Sequence, residues 1–187
     1  DYYASRGLGD VYKRQVHFLY LGRIMKEKGI EELFYAVRRL KEENEDFVLD
    51  LAGFFEDIYK KQVEELEQLG IAHFYGFQSD PRPFYAEADC VVLPSYHEGM
   101  SNVLLEAAAT GRPVITSNIP GCRESVENGK SGLLVEVKNK EMLYQAMKKM
   151  LHCSREEREK MGKAGREKMK REFRKEAVVE RTVRSLE

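Results

Sequence analysis

Disulfide chemistry has little to work with in this sequence. It holds only three cysteines, Cys90, Cys122 and Cys153, an odd number with no CxxC spacing. Neither a disulfide framework nor a zinc site fits that pattern, and a reducing, cytoplasmic setting is the expectation. An excess of one charge is missing too. Charged residues make up 34% of the chain, yet they sum to −1, so no basic footprint points to nucleic acid as a partner. No apolar run approaches the roughly 18 residues that a membrane span needs. No basic stretch followed by an apolar one has the form of a signal peptide. Internal repeats and low-complexity stretches are absent.

What is present suffices for a core. Apolar residues make up 42% of 187, a length that fits one domain. Residues 1–15 (DYYASRGLGDVYKRQ) have no apolar periodicity. Their end, DVYKRQ, resembles the translated end of a transposon used to tag DNA libraries. The expectation is a scar or linker outside the fold, with an N-terminal part of the native chain missing upstream. The domain then covers residues 16–187.

From Val16 onward, short apolar runs alternate with helical patterns. Strands are expected at 16–21, 47–52, 73–77, 90–94, 113–118 and 132–137. Helices are expected at 30–43, 57–69, 83–88, 101–110 and 141–151. Ser154 and Glu157 form a capping box for the charged helices that follow. Six apolar strands separated by helices imply an α/β fold: a Rossmann-like, doubly wound, six-stranded parallel sheet with helices on both faces. Such sheets bind ligands beyond the carboxyl ends of their strands. The loops to inspect are therefore 22–29, 53–56, 76–82, 95–102 and 119–124.

Gly22 lets the backbone turn sharply behind the first strand. Arg23 and Lys28 on that loop read either as a clamp on a diphosphate, one a fork and the other a point charge, or as solvated charge, as Lys26 does. The fingerprint GxGxxG is absent here, which counts against NAD or FAD. The loop 94–102 is richer. Ser101 or Asn102 suits an N-cap, and the amides at that helix start offer an anion site. Glu98 before the helix and Glu106 one turn inside it would be a poor choice for phosphate alone. They fit a ligand that also presents hydroxyls, because a carboxylate accepts from both hydroxyls of a vicinal diol. Leu104, Leu105, Ala107, Ala108 and Ala109 suggest a largely buried helix, in which Glu106 would need partners.

Glu98 and Glu106 are separated by seven residues, and in this the chain resembles family 4 of the retaining glycosyltransferases, whose E-x7-E motif has that spacing. Gly22-Arg23 with Lys28-Gly29, Pro94-Ser95, the run 111–115 (GRPVI), Asn128-Gly129 and the run 132–135 (GLLV) resemble the same family in the same order. The resemblance covers only the C-terminal, donor-binding half of the GT-B architecture; the N-terminal acceptor-binding domain has no counterpart in it. It implies that Arg23 and Lys28 neutralise a nucleotide diphosphate, that Glu106 binds the ribose hydroxyls and that Glu98 contacts the donor sugar. It further implies that Gly22 and the backbone of Gly99, Met100, Ser101, Asn102 and Val103 hold the diphosphate and sugar, with Phe77 beside the base. The donor would be a nucleotide diphosphate sugar, most often UDP-linked in similar enzymes. The absence of a DxD motif fits catalysis without a metal or other cofactor.

The loop 120–124 (PGCRE) resembles bacterial surface-polysaccharide transferases, with Gly121 allowing close approach to a sugar. Cys122 is expected to be a small packed residue and His97 a structural or hydrogen-bonding one; His17 and His73 are expected in strands and His152 at the surface. The stretch 155–174 is expected to be a solvated helical face. A membrane-surface helix is the alternative, weakened by interleaved Glu residues, and peripheral membrane contact would belong to the full-length protein. Two other functional readings are a non-catalytic nucleotide-sugar-binding module and an unrelated doubly wound protein, the latter lacking its glycine fingerprint. Removing residues 1–15 is expected to leave the melting temperature unchanged. A large drop on truncation, followed by calorimetry, would show that they belong to the fold.

Overall fold

The computed structural model describes residues 15–54 and 56–174, together with 178, 183 and 184. Of the segment 1–15, only Gln15 lies within that set; its side-chain amide donates to the Phe47 carbonyl at 3.0 Å. The strands are β1 (Val16–Leu21), β2 (Phe47–Ala52), β3 (Ala72–Phe74), β4 (Cys90–Leu93), β5 (Val114–Ser117) and β6 (Gly132–Val135). They form one six-stranded sheet in the order β3-β2-β1-β4-β5-β6, and every neighbouring pair is parallel. The helices are α1 (Ile30–Glu42), α2 (Lys60–Gln68), α3 (Arg82–Glu87), α4 (Asn102–Ala109), α5 (Lys140–His152) and α6 (Arg155–Glu172). Among the described residues no helix is long and apolar enough to cross a membrane.

The strands read as continuous apolar runs because both faces of the sheet are covered. All six residues of β2 are buried, Asp50 included. Asp50 is accommodated by hydrogen bonds: His17 Nδ1 lies 2.9 Å from one carboxylate oxygen, and the Tyr75 hydroxyl donates to the other at 3.1 Å. On α1, Ile30, Leu33, Phe34, Val37 and Leu40 form the buried stripe expected of an amphipathic helix. The chain runs from β1 to β2 in one direction across the sheet and from β4 to β5 in the other. Right-handed crossovers then place α1 and α4 on opposite faces. Accordingly α1 packs against α5, and α4 against α6.

Three elements depart from expectation by more than small shifts of one or two residues at their ends. The third strand ends at Phe74 rather than at 77. It is an edge strand paired only with β2, and Gly76 turns the chain with φ of 65°. Phe77 therefore sits in the loop beyond the sheet. The helix expected at 57–69 opens with a separate 3₁₀ turn, Asp57–Tyr59, before α2. The stretch 155–174 contains one helix through Glu172, capped by the expected Ser154–Glu157 box, and it is more than a solvated face. Gly162, Gly165, Lys168 and Met169 are buried on α6.

That burial rests on clearance. A Cβ added to Gly162 would lie 1.8 Å from the Gly111 carbonyl oxygen, just past the end of α4, whereas one on Gly165 would meet nothing nearer than 3.6 Å. Alanine favours a helix interior over glycine by about 1 kcal/mol, but a backbone collision in a packed interface costs about 1–3 kcal/mol or more. Gly162→Ala is therefore expected to lower the melting temperature by roughly 3–10 °C, while Gly165→Ala leaves it unchanged or raises it. Equal behaviour of the two variants in thermal unfolding would contradict this packing.

Candidate functional site

The sequence of turns at the carboxyl ends of β1, β2 and β3 opens a cleft. The Gly22 amide donates to the Ala52 carbonyl at 3.0 Å, and the Gly53 amide to the Gly76 carbonyl at 2.8 Å. Gly53 has φ of 150°, and a Cβ there would lie 1.9 Å from the Gly22 carbonyl oxygen, so only glycine allows the two loops to touch. The cleft that results has a volume of about 270 Å³ and is walled by Leu21, Gly22, Arg23, Phe54, Phe77, Tyr85, Val103 and Glu106, among others. It stands beside the junction of β1 and β4, where the strand order reverses. Open α/β sheets bind ligands at that point.

Five of the residues singled out from sequence line this one cleft: Gly22, Arg23, Phe77, Val103 and Glu106. Arg23 is exposed, and its carbonyl accepts a 2.5 Å hydrogen bond from the hydroxyl of Tyr20, a fully buried side chain. Burial, together with the negative charge of Glu98, pushes the Tyr20 phenol well above its usual range, so it remains a donor. Phe77 stacks on Phe54 with centroids 4.8 Å apart and an interplanar angle of 9°. The two rings are 60% and 62% exposed, an open aromatic surface at the mouth of the cleft.

Glu106 is not buried as expected. Helix α4 is one-sided: Leu104, Ala107 and Ala108 face the core, while Asn102, Glu106 and Ala109 are exposed. Glu106 has a partner all the same. The Tyr85 hydroxyl lies 2.9 Å from its Oε2 and 3.2 Å from the Val103 carbonyl.

The remaining candidates form a second group. Lys28 and Glu98 pair with each other, Nζ to Oε1 at 2.6 Å, with side chains only 20% and 13% exposed. Gly99, Met100 and Asn102 are exposed in the adjoining loop and first turn of α4. Ser101 is the N-cap and accepts from the Leu104 amide. Its own amide donates to the Gly121 carbonyl at 3.0 Å, which engages one of the backbone donors expected for a ligand. Gly121 approaches this loop and not open space: a Cβ on it would lie 2.4 Å from the Glu98 carbonyl oxygen and 2.5 Å from that of Gly99. Its φ is 85°. The space on the Cβ side of Gly121 is thus taken by protein backbone. Cys122 is buried beside it, with its thiol pushed up to about 11, chiefly by burial. It is a packed residue, as expected.

Phe54, Tyr20 and Tyr85 were not picked out from sequence. Phe54 carried a signal, standing directly behind the glycine that ends β2. Tyr20 and Tyr85 look like core tyrosines, and only the fold brings their hydroxyls to the loop and to Glu106. Chemically, the cleft offers a guanidinium, a held carboxylate and an aromatic surface, next to a lysine–glutamate pair and a helix N-terminus. That combination suits a ligand carrying an anionic group, a diol and a flat ring.

The profile of the family described as "Glycosyl transferases group 1" matches residues 9–168. The capsular polysaccharide biosynthesis glycosyltransferase CapM of Staphylococcus aureus is 30% identical over 166 residues, which is 86% of this chain and 43% of CapM. The lipopolysaccharide core biosynthesis glycosyltransferase LpsE of Rhizobium meliloti is 32% identical over 162 residues, 86% of this chain and 46% of LpsE. The chain thus spans about half the length of these relatives. Among solved structures, Anabaena HepE in complex with UDP superposes with a TM-score of 0.77 at 20% identity, over 92% of this chain and 48% of that one; the shared architecture is GT-B. On the extent of the profile match and of the identity to both relatives, the chain belongs to the group 1 glycosyl transferases.

Proposed function

We propose that the chain is the donor-binding domain of a retaining glycosyltransferase that uses a nucleotide diphosphate sugar, with UDP as its nucleotide. The acceptor, a glycan or a lipid-linked glycan, would be held by a domain outside this sequence. The observation that carries the reading is the meeting of Arg23, Phe77 and Glu106 in one cleft at the strand-order reversal. In it Phe77 and Phe54 border the base, Glu106 receives the ribose hydroxyls, and Arg23 faces the diphosphate. The pairing of Lys28 with Glu98 joins the diphosphate and sugar ends of the donor. Lys28 serves the leaving diphosphate while Glu98 serves the sugar hydroxyls. The sugar transferred is taken to be a hexosyl or N-acetylhexosaminyl group; similarity to an alpha-1,3-N-acetylgalactosaminyltransferase of Campylobacter jejuni, 34% identical over 65% of this chain and 31% of that one, supports the second. Description of HepE in complex with UDP makes UDP the first nucleotide to test.

In this reading the diphosphate is the leaving group, and negative charge grows on it as the glycosidic bond breaks. Arg23, Lys28 and the first-turn amides of α4 stabilise that charge without reorganising at the moment of reaction. No metal is required for this step. Retention of anomeric configuration follows from the family resemblance. The chain by itself is expected to bind the donor and to transfer nothing, since it spans about half the length of its relatives and closure around the substrate would need the rest. Robust transfer by these 187 residues alone would refute that. A full-length protein that binds donor and transfers to no acceptor would favour the non-catalytic module.

Calorimetric titration with pyrophosphate, UDP and a UDP-sugar tests the assignments. Arg23→Ala and Lys28→Ala are expected to weaken all three ligands, each about ten- to a hundredfold, the worth of a charge-assisted contact. Glu106→Ala is expected to weaken UDP and leave pyrophosphate unchanged or slightly tighter. Glu98→Gln removes the negative partner of Lys28, so pyrophosphate is expected to bind about two- to fivefold tighter, while the extra affinity for the UDP-sugar is lost. If neither carboxylate variant alters any ligand that binds the parent, the roles given to Glu98 and Glu106 are wrong.

A further inference from the structure

Glu106 stands on the exposed side of α4, where a glutamate ordinarily samples several rotamers and loses that freedom on binding. Here it does not stand alone. Tyr85 projects from α3 with its ring 2% exposed, and its hydroxyl reaches across to Glu106 Oε2 at 2.9 Å. The Val103 carbonyl is the other acceptor within reach, at 3.2 Å. A phenol has one proton to give, and the nearer, charged oxygen makes the stronger bond. Burial and the Glu106 charge both hold the phenol far above its usual range, so the proton stays on Tyr85. The carboxylate is thereby anchored through Oε2, and Oε1 is left for a ligand in the cleft that both residues line.

We infer that Tyr85 is a positioning residue for the donor's ribose, acting through Glu106. This rests on the assignment of Glu106 to the ribose hydroxyls. The α3 helix then has a purpose beyond crossing the sheet: it carries a buried hydroxyl to the one exposed acid of α4. A ring fixed in the core costs no further ordering when the nucleotide arrives, and the carboxylate meets the diol already oriented.

Tyr85→Phe retains the buried ring and removes only the hydroxyl. Parent, Tyr85→Phe, Glu106→Ala and the double variant would be titrated with UDP, 2′,3′-dideoxy-UDP and pyrophosphate, each with a melting curve. Tyr85→Phe is expected to weaken UDP about three- to tenfold and to leave dideoxy-UDP and pyrophosphate unchanged. In the Glu106→Ala background it should have no further effect on UDP, because the two act as one unit. Loss of UDP affinity in Glu106→Ala but not in Tyr85→Phe overturns the positioning role and spares the ribose assignment. Full UDP affinity in both overturns both. Equal loss for all three ligands marks a structural role for Tyr85 and overturns the inference. A crystal structure of the ligand-free chain tests it without any variant: the Glu106 carboxylate is expected on the Tyr85 hydroxyl, and a carboxylate turned away contradicts it.

Discussion

The reversal of strand order between β1 and β4 is the constraint on which the rest of the molecule depends. From β1 the chain moves outward through β2 to β3, and from β4 it moves the other way to β5 and β6. Right-handed connections send the helices of the two halves to opposite faces, so their loops part at the carboxyl ends of β1 and β4. The cleft is what that parting leaves. Its floor depends on two backbones in contact, Gly22 and Gly53, and its far wall on α3 and α4. A side chain at residue 53 would drive the Gly22 backbone away and break up that floor.

Around this opening, Lys28, Glu98 and Glu106 are held by partners, while the Arg23 side chain is exposed. Lys28 is paired with Glu98 and Glu106 is tied to Tyr85; the backbone of the Arg23 loop is tied to Tyr20. Both phenols are buried and so keep their protons. Core residues thus fix loop and helix-surface groups by single hydrogen bonds. Two opposite charges in a half-buried pair also limit how strongly either can act on a ligand.

Much of this was legible in the sequence. The strand runs are apolar on both faces, so β1, β2, β4, β5 and β6 stood out with boundaries within two residues. The end of the short strand β3 did not, because residues 75–77 continue its aromatic character into a loop that Gly76 turns. The spacing of Glu98 and Glu106 pointed to paired carboxylates. It could not reveal that one is exposed, because α4 is rich in small apolar residues around its whole circumference and its buried side is chosen by α6. Nor could it reveal Tyr85, whose partner lies 21 residues away. A hydrogen bond between two helices has no sequence period.

Membership in the group 1 glycosyl transferases, with about half the length of the relatives matched, makes the cleft at the strand-order reversal the feature to test. The central claim is that the cleft holds a nucleoside diphosphate in one orientation. A crystal structure of the chain with UDP tests it most directly. The account expects ribose hydroxyls within hydrogen-bond distance of Glu106 Oε1, the diphosphate against Arg23 and the start of α4, and the base beside Phe77. UDP bound elsewhere, or reversed so that its diphosphate lies at Phe77 and its base at α4, would contradict it.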